Sequence, residues 1–216
     1  MRSCDTLIRN AGVLDGSGAA SELMDVAISG DQICEIGPSL DYIPSLSVDA
    51  DGLVLAPGFI DVHTHDDTSV IHAPTMLPKL SQGVTTVIVG NCGISAAPVQ
   101  LRGEPPDPMN LLGNADVFRY PTFAAYVAAI RNAHPAVNVG ALVGHTSLRN
   151  NYMDRLDRTA TEAEIEAMRQ QLKEALDGGA LGLSSGLAYL SANSASTEEV
   201  LALAKPLASA GAVYTT

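Results

Sequence analysis

From Pro57 onward the chain alternates between apolar strand-like runs and helical stretches, and few folds accommodate that rhythm. Strands are expected at 59–63, 84–90, 137–143, 180–184 and 212–216, with helices at 73–82, 122–132, 161–177 and 196–211. The run at 84–90 is continuous and β-branched, the pattern of a strand buried on both faces of a parallel sheet. Thr161-Glu162-Ala163-Glu164 and Ser196-Thr197-Glu198-Glu199 each read as a capping box that opens a helix. Ile165, Met168, Leu172 and Leu176 line one face of the first of these helices, and Gly178-Gly179 stops it. Repeated strand–helix units give a parallel sheet with helical crossovers. A nucleotide-binding doubly wound sheet would carry a glycine-rich phosphate loop after a strand, and no GxGxxG or GxxxxGK[ST] occurs here. The other arrangement is a (β/α)8 barrel, whose sites sit at the C-terminal ends of its strands. Five strands do not close an eight-stranded barrel, so the expectation is an incomplete one from a chain cut short.

Polar groups fall where a barrel would want them. In Pro57-Gly58-Phe59-Ile60-Asp61-Val62-His63-Thr64-His65, a short buried strand is expected to send Asp61, His63 and His65 to one face. Two histidines so placed can converge on one cation, and imidazole is a common zinc ligand. Cys92, in Val89-Gly90-Asn91-Cys92-Gly93, follows the second strand of the series. It reads either as a small buried hydrophobe or as a thiolate ligand, with flanking glycines that let backbone and metal approach closely. A strand-end Cys beside a strand-end His-x-His favours the ligand.

The first 56 residues differ in character. Strands at 6–14, 24–29, 32–36 and 52–56 are separated by Gly, Asp and Ser turns, which gives a small β layer too thin for an independent core. The expected division is therefore 1–56 as a β-sandwich portion and 57–216 as the first part of the barrel. A net charge of −12 argues against a nucleic-acid partner, which would need a basic face. The three cysteines, Cys4, Cys34 and Cys92, form no disulfide framework and no CxxC, as suits a reducing cytoplasm. No stretch has the length and apolarity of a membrane span or of a signal peptide. A cytoplasmic enzyme-sized domain with no membrane partner is expected, of unknown oligomeric state.

In this order, the opening β layer, PGFIDVHTHDD, GVTTVIVGNCGIS, VGHTSLR and GALGLSSGLAY closely resemble the N-acyl-D-amino-acid deacylases, or D-aminoacylases, of the metal-dependent amidohydrolase superfamily. The likeness covers nearly the whole chain, and NCG is its most specific part. Most relatives bridge their metals with a carboxylated Lys, whereas the D-aminoacylase branch has a Cys where Cys92 stands. The resemblance implies zinc held by His63, His65 and Cys92, and hydrolysis of an N-acyl-D-amino acid to a carboxylate and a D-amino acid. It also implies two further His ligands and a general-base Asp beyond Thr216, so no catalytic residue is assigned within this chain, which is expected to be inactive alone. Tyr189, in Ser184-Ser185-Gly186-Leu187-Ala188-Tyr189, matches a family Tyr that lines the active site and donates to the substrate carbonyl. Leu190 to Ser194 depart from the family's Pro- and Gly-rich run.

Other residues carry weaker expectations. Asp61 either orients a ligand or bonds nearby backbone, and Asp66 and Asp67 read as the solvated start of a loop. His145 reads as a packed, hydrogen-bonded histidine, Arg149 as a structural ion-pair partner, and His72 and His134 as exposed. The segment 100–121 is long for a strand–helix connection and reads as either a lid or a mobile insertion. Two competing functions are an amidohydrolase acting on cyclic amides, like hydantoinases and dihydroorotases, and a non-catalytic remnant. The Cys at the second strand and the lack of a strand-end Lys weigh against the first of these.

Overall fold

The computed structural model describes residues 2–216, which divide into two compact units at Gly58/Phe59. The first unit is a single five-stranded sheet. Its strands are β1 (Arg2–Val13), β2 (Glu22–Ser29), β3 (Gln32–Gly37), β4 (Tyr42–Asp49) and β5 (Val54–Leu55). They run in the order β3-β2-β1-β4, with β5 also on β1. β2 and β3 form an antiparallel hairpin, while β4 and β5 lie parallel to β1. Cys4, Leu7, Ala27 and Leu40 make its small core. The sequence reading missed β4 because Pro44 sits within it, and proline argues against a ladder position. Pro44 is tolerated because β4 is an edge strand of this sheet.

The second unit strings β6 (Phe59–Asp61), β7 (Val84–Val89), β8 (Asn138–Gly144), β9 (Gly182–Ser184) and β10 (Val213–Thr215) into one parallel sheet. Their spatial order is their order in the chain. A doubly wound sheet reverses order at a switch point, whereas a barrel steps always to the next strand, as this sheet does. Helices α1 (Ser69–His72), α2 (Leu77–Leu80), α3 (Phe123–Ala133), α4 (His145–Tyr152), α5 (Glu162–Asp177) and α6 (Thr197–Ala210) fill the connections. Val87, Val89, Leu148, Met168, Leu172, Leu183 and Leu203 are among the fully buried side chains of the core between helices and sheet. Each contributes roughly 1.5–3 kcal/mol by leaving water.

Several local expectations need correction. The strand expected at 59–63 ends at Asp61, and Phe59, Ile60 and Val62 are 60–67% exposed rather than buried. β6 is the edge strand of the parallel sheet, so only one flank is covered. Of the helix expected at 73–82 only the single turn α2 forms, because Pro74 and Pro78 cannot donate in a continuous helix and Pro78 instead sits in the first turn of α2; the other turn, α1, lies before that range. α4 was not expected, since Gly144 precedes it without a side-chain cap. The capping box at Thr161 is complete, with Thr161 Oγ1 accepting from Glu164 N and the Glu164 carboxylate accepting from Thr161 N. At Ser196 only half the box forms: Ser196 Oγ accepts from Glu199 N at 3.1 Å, but the Glu199 carboxylate turns into the core.

Candidate metal centre

The C-terminal ends of β6 and β7 carry the candidate ligands. His63 and His65 lie on the irregular segment that leaves β6, and Cys92 on the turn that leaves β7. His63 Nε2 stands 3.0 Å from Cys92 Sγ. One donor atom from each of His63, His65 and Cys92 fits within a 4.8 Å cluster. The two imidazoles are set edge to face, with centroids 5.8 Å apart. Convergence thus comes from the irregular exit of β6 and not from strand alternation. Burial, and then the neighbouring His63, lowers the pKa of His65, which favours the neutral form that metals need. His65 Nδ1 is buried without a hydrogen-bond partner among the described residues. Two imidazoles, one with an orphaned ring nitrogen, and a cysteine sulfur suit zinc.

The turn that presents Cys92 is tightly held. Cys92 itself has φ of 56°, in the left-handed region a non-glycine residue rarely adopts. Close backbone approach explains its glycines: a Cβ on Gly90 would lie 2.2 Å from Leu142 O, and one on Gly93 2.8 Å from Gly186 N. The buried Ser184 hydroxyl donates to Gly90 O at 2.5 Å and accepts from Gly93 N at 3.0 Å. Asn91 Nδ2 donates to Ile88 O at 2.8 Å, and Thr146 N to Gly93 O at 2.8 Å. The strain at Cys92 is therefore borne by bonds from β9 and α4.

Around the ligands, two acidic residues behave differently from expectation. Asp67 is 1% exposed, not solvated. Its carboxylate accepts from Gly90 N at 3.2 Å and from Ala96 N at 3.1 Å, and burial pushes its pKa up to about 7 in spite of those bonds. Asp66 is half-buried, accepting from Thr64 Oγ1 at 2.5 Å and pairing with Lys79 at 2.9 Å. Asp61 also takes Lys79 Nζ, at 2.7 Å, and accepts from His63 N at 3.3 Å. The Lys79 bond holds its carboxyl below the ordinary range. Lys79 thereby clamps carboxylates on both sides of the His-x-His segment. The sequence reading passed over Lys79 because it precedes β7; Asp67 was hidden because an acidic pair after a strand normally faces water.

Tyr189 is half-buried on the turn after β9, where the Cys92 sulfur beside it raises the phenol pKa. His145 lies elsewhere: fully buried, it meets Glu199 Oε1 at 2.8 Å. Glu199 also receives both hydrogen bonds of Arg149 Nη1, at 2.6 and 2.8 Å, and all three side chains are buried. Burial pushes the Glu199 carboxyl up, but His145 and Arg149 outweigh it and hold the pKa below the usual range. His72 and His134 are exposed. The segment 100–121 is ordered around a core of its own, with Met109, Leu112 and Phe118 packed on Ile94 and Val99.

A parallel sheet wound in sequence order, with two histidines and a cysteine converging at its strand ends, is the layout of part of a (β/α) barrel with a candidate metal site. The amidohydrolase family profile matches residues 47–215, and the chain belongs to that family. Within it, the chain is 47% identical to an N-acyl-D-aspartate deacylase of Alcaligenes xylosoxydans xylosoxydans, over 98% of this chain and 43% of the relative. It superposes on a crystal structure of D-aminoacylase with a TM-score of 0.95 at 44% identity, covering 99% of this chain and 45% of that one. The N-acyl-D-glutamate deacylase from Bordetella bronchiseptica, solved with zinc and a phosphonate inhibitor, matches at TM-score 0.92 and 38% identity, again over 99% and 45%. The second unit has the fold of part of a (β/α)8 amidohydrolase barrel, and the first adds a sheet portion. The chain spans less than half the length of these relatives.

Proposed function

We propose that this chain supplies part of the zinc site of an N-acyl-D-amino-acid deacylase, with His63, His65 and Cys92 as ligands. The observation that carries this reading is the convergence of those three donors within 4.8 Å at the strand ends, beside an orphaned buried His65 nitrogen. Similarity to deacylases of N-acyl-D-aspartate and N-acyl-D-glutamate supports the substrate class. In domain terms, 1–56 serve as a β-sandwich portion and 57–216 as the first part of the barrel.

Zinc bound there would supply Lewis acidity, polarising an amide carbonyl and making water nucleophilic near neutral pH. His63, His65 and Cys92 would provide the donor set, and the strained turn at Cys92 fixes the sulfur relative to His63. Tyr189, beside Cys92, would donate its hydroxyl to the substrate carbonyl oxygen and orient it. The remaining ligands and the general-base Asp are assigned to no residue of this chain; the family resemblance puts them beyond Thr216, and turnover belongs to the whole protein. Its partner is the small N-acyl-D-amino acid, and neither nucleic acid nor membrane is called for. The acidic charge fits that reading, and no described helix is long and apolar enough to cross a membrane. We place the protein in the cytoplasm on its cysteine usage.

The test is amino-acid release from N-acyl-D- and N-acyl-L-amino acids by the whole protein, with zinc and after chelation. Zinc-dependent release from the D-enantiomer is expected. Opening of cyclic amides with no action on N-acyl-D-amino acids would overturn the assignment.

A further inference from the structure

Asp67 joins the two segments that carry the candidate ligands. Its backbone lies two residues after His65, and its carboxylate accepts from Gly90 N and Ala96 N. Those two amides bracket the turn that presents Cys92. The carboxylate therefore ties both ends of the Cys92 turn to the segment that follows His65. A third element fixes the tie itself: the buried Tyr126 of α3 donates its hydroxyl to Asp67 O at 2.7 Å. Every bond these carboxylate oxygens accept comes from backbone amides: Gly90 N, Ala96 N and the residue's own N–H. The group is 1% exposed, so it reaches no solvent and its acceptors are used on these amides. A carboxylate taken out of water for no surface or ion-pair purpose is costly unless its bonds hold something in place.

We infer that Asp67, anchored by Tyr126, is a positioning residue of the metal centre that sets the separation between the His63–His65 segment and the Cys92 thiolate. This rests on the metal reading given above. Asp67 touches neither the ligands' donor atoms nor substrate; it acts through the backbone that holds them. Replacing Asp67 by Asn keeps the shape, but the amide offers one acceptor and turns a donor toward the other backbone N–H. The turn is then released at one end, and the sulfur is free to drift from the imidazoles.

The experiment compares zinc affinity, by competition with a chromophoric chelator, and the thiolate-to-cobalt absorption of the cobalt-substituted protein. Four versions are compared: the parent, Asp67→Asn, Tyr126→Phe and Asp25→Asn. Asp25 is the control, a 5%-exposed carboxylate that accepts from Asn10 N and Leu40 N in the other unit. Asp67→Asn is expected to weaken zinc binding about 10- to 100-fold, the usual effect of losing a group that orients ligands, and to shift or weaken the cobalt–thiolate band. Tyr126→Phe should move both readouts in the same direction by a smaller factor, while Asp25→Asn leaves both unchanged. A folded Asp67→Asn protein with parental affinity and spectrum would overturn the positioning role. Should Asp67→Asn not fold, an unchanged Tyr126→Phe protein overturns it equally. A parent that binds no zinc sinks the metal reading, and the positioning role with it.

Discussion

At the scale of single residues, the candidate site depends on a cysteine in an unfavourable backbone conformation, and the core away from it on a buried ion pair between Arg149 and Glu199. Cys92→Ala removes the one sulfur donor of the cluster, so zinc affinity should fall by at least tenfold with little loss of fold, as read by chelator competition beside circular dichroism. Glu199→Ala leaves Arg149 charged and without its carboxylate partner in a dry site, and removal of one partner of such a pair costs roughly 3–5 kcal/mol. Urea denaturation should show that loss, and a change under 1 kcal/mol would mean that water reaches Arg149. The candidate donors of His-x-His and Asn-Cys-Gly were legible in the sequence because such residues at strand ends have a recognisable spacing, and the structure brings them together. Asp67 and Glu199 were not legible. Their burial depends on backbone amides and side chains distant in the chain, which no local pattern reports.

Among the elements, those with strong local signals appear where the sequence puts them. α5 is the clearest case: Thr161 and Glu164 cap it, Met168 and Leu172 bury its apolar face, and Gly178 stops it. Thr161→Ala should cost about 1 kcal/mol in thermal or urea unfolding. Glu164 adds a pH dependence. Arg158, then the Thr161 amide and hydroxyl, hold its pKa at about 2, below the 4.5 of a free Glu side chain. Its folded pKa lies below the unfolded one, so its stabilisation is full above about pH 4.5 and fades as pH falls toward 2. The stability gap between parent and Glu164→Gln should therefore be widest near neutrality and close between pH 4.5 and 2. A gap that stays constant with pH would rule out the Arg158 pairing as its source. Less legible elements failed for physical reasons: Pro44 disguised β4, Pro74 and Pro78 cut the expected helix down to one turn, and α4 follows a glycine that offers no side-chain cap.

At the scale of the whole molecule, the alternation of strand and helix was enough to indicate a barrel-type sheet, and the strand order bears it out. How exposed its edges are was not legible, because an apolar strand reads the same whether or not a neighbour covers it. Phe59, Ile60 and Val62 at one edge, and Val213 and Tyr214 at the other, are 40–67% exposed. Edge strands with apolar side chains pair with other chains. The 216-residue chain should therefore run as associated species in light scattering coupled to size exclusion; a monodisperse monomer at high concentration would contradict that expectation. The claim on which the rest depends is that this fold brings His63, His65 and Cys92 onto one zinc ion. X-ray absorption of the zinc-loaded protein tests it most directly. One sulfur near 2.3 Å with nitrogen near 2.0–2.1 Å, the sulfur vanishing in Cys92→Ala, is the expected result. Zinc surrounded by nitrogen and oxygen alone in the parent would contradict it.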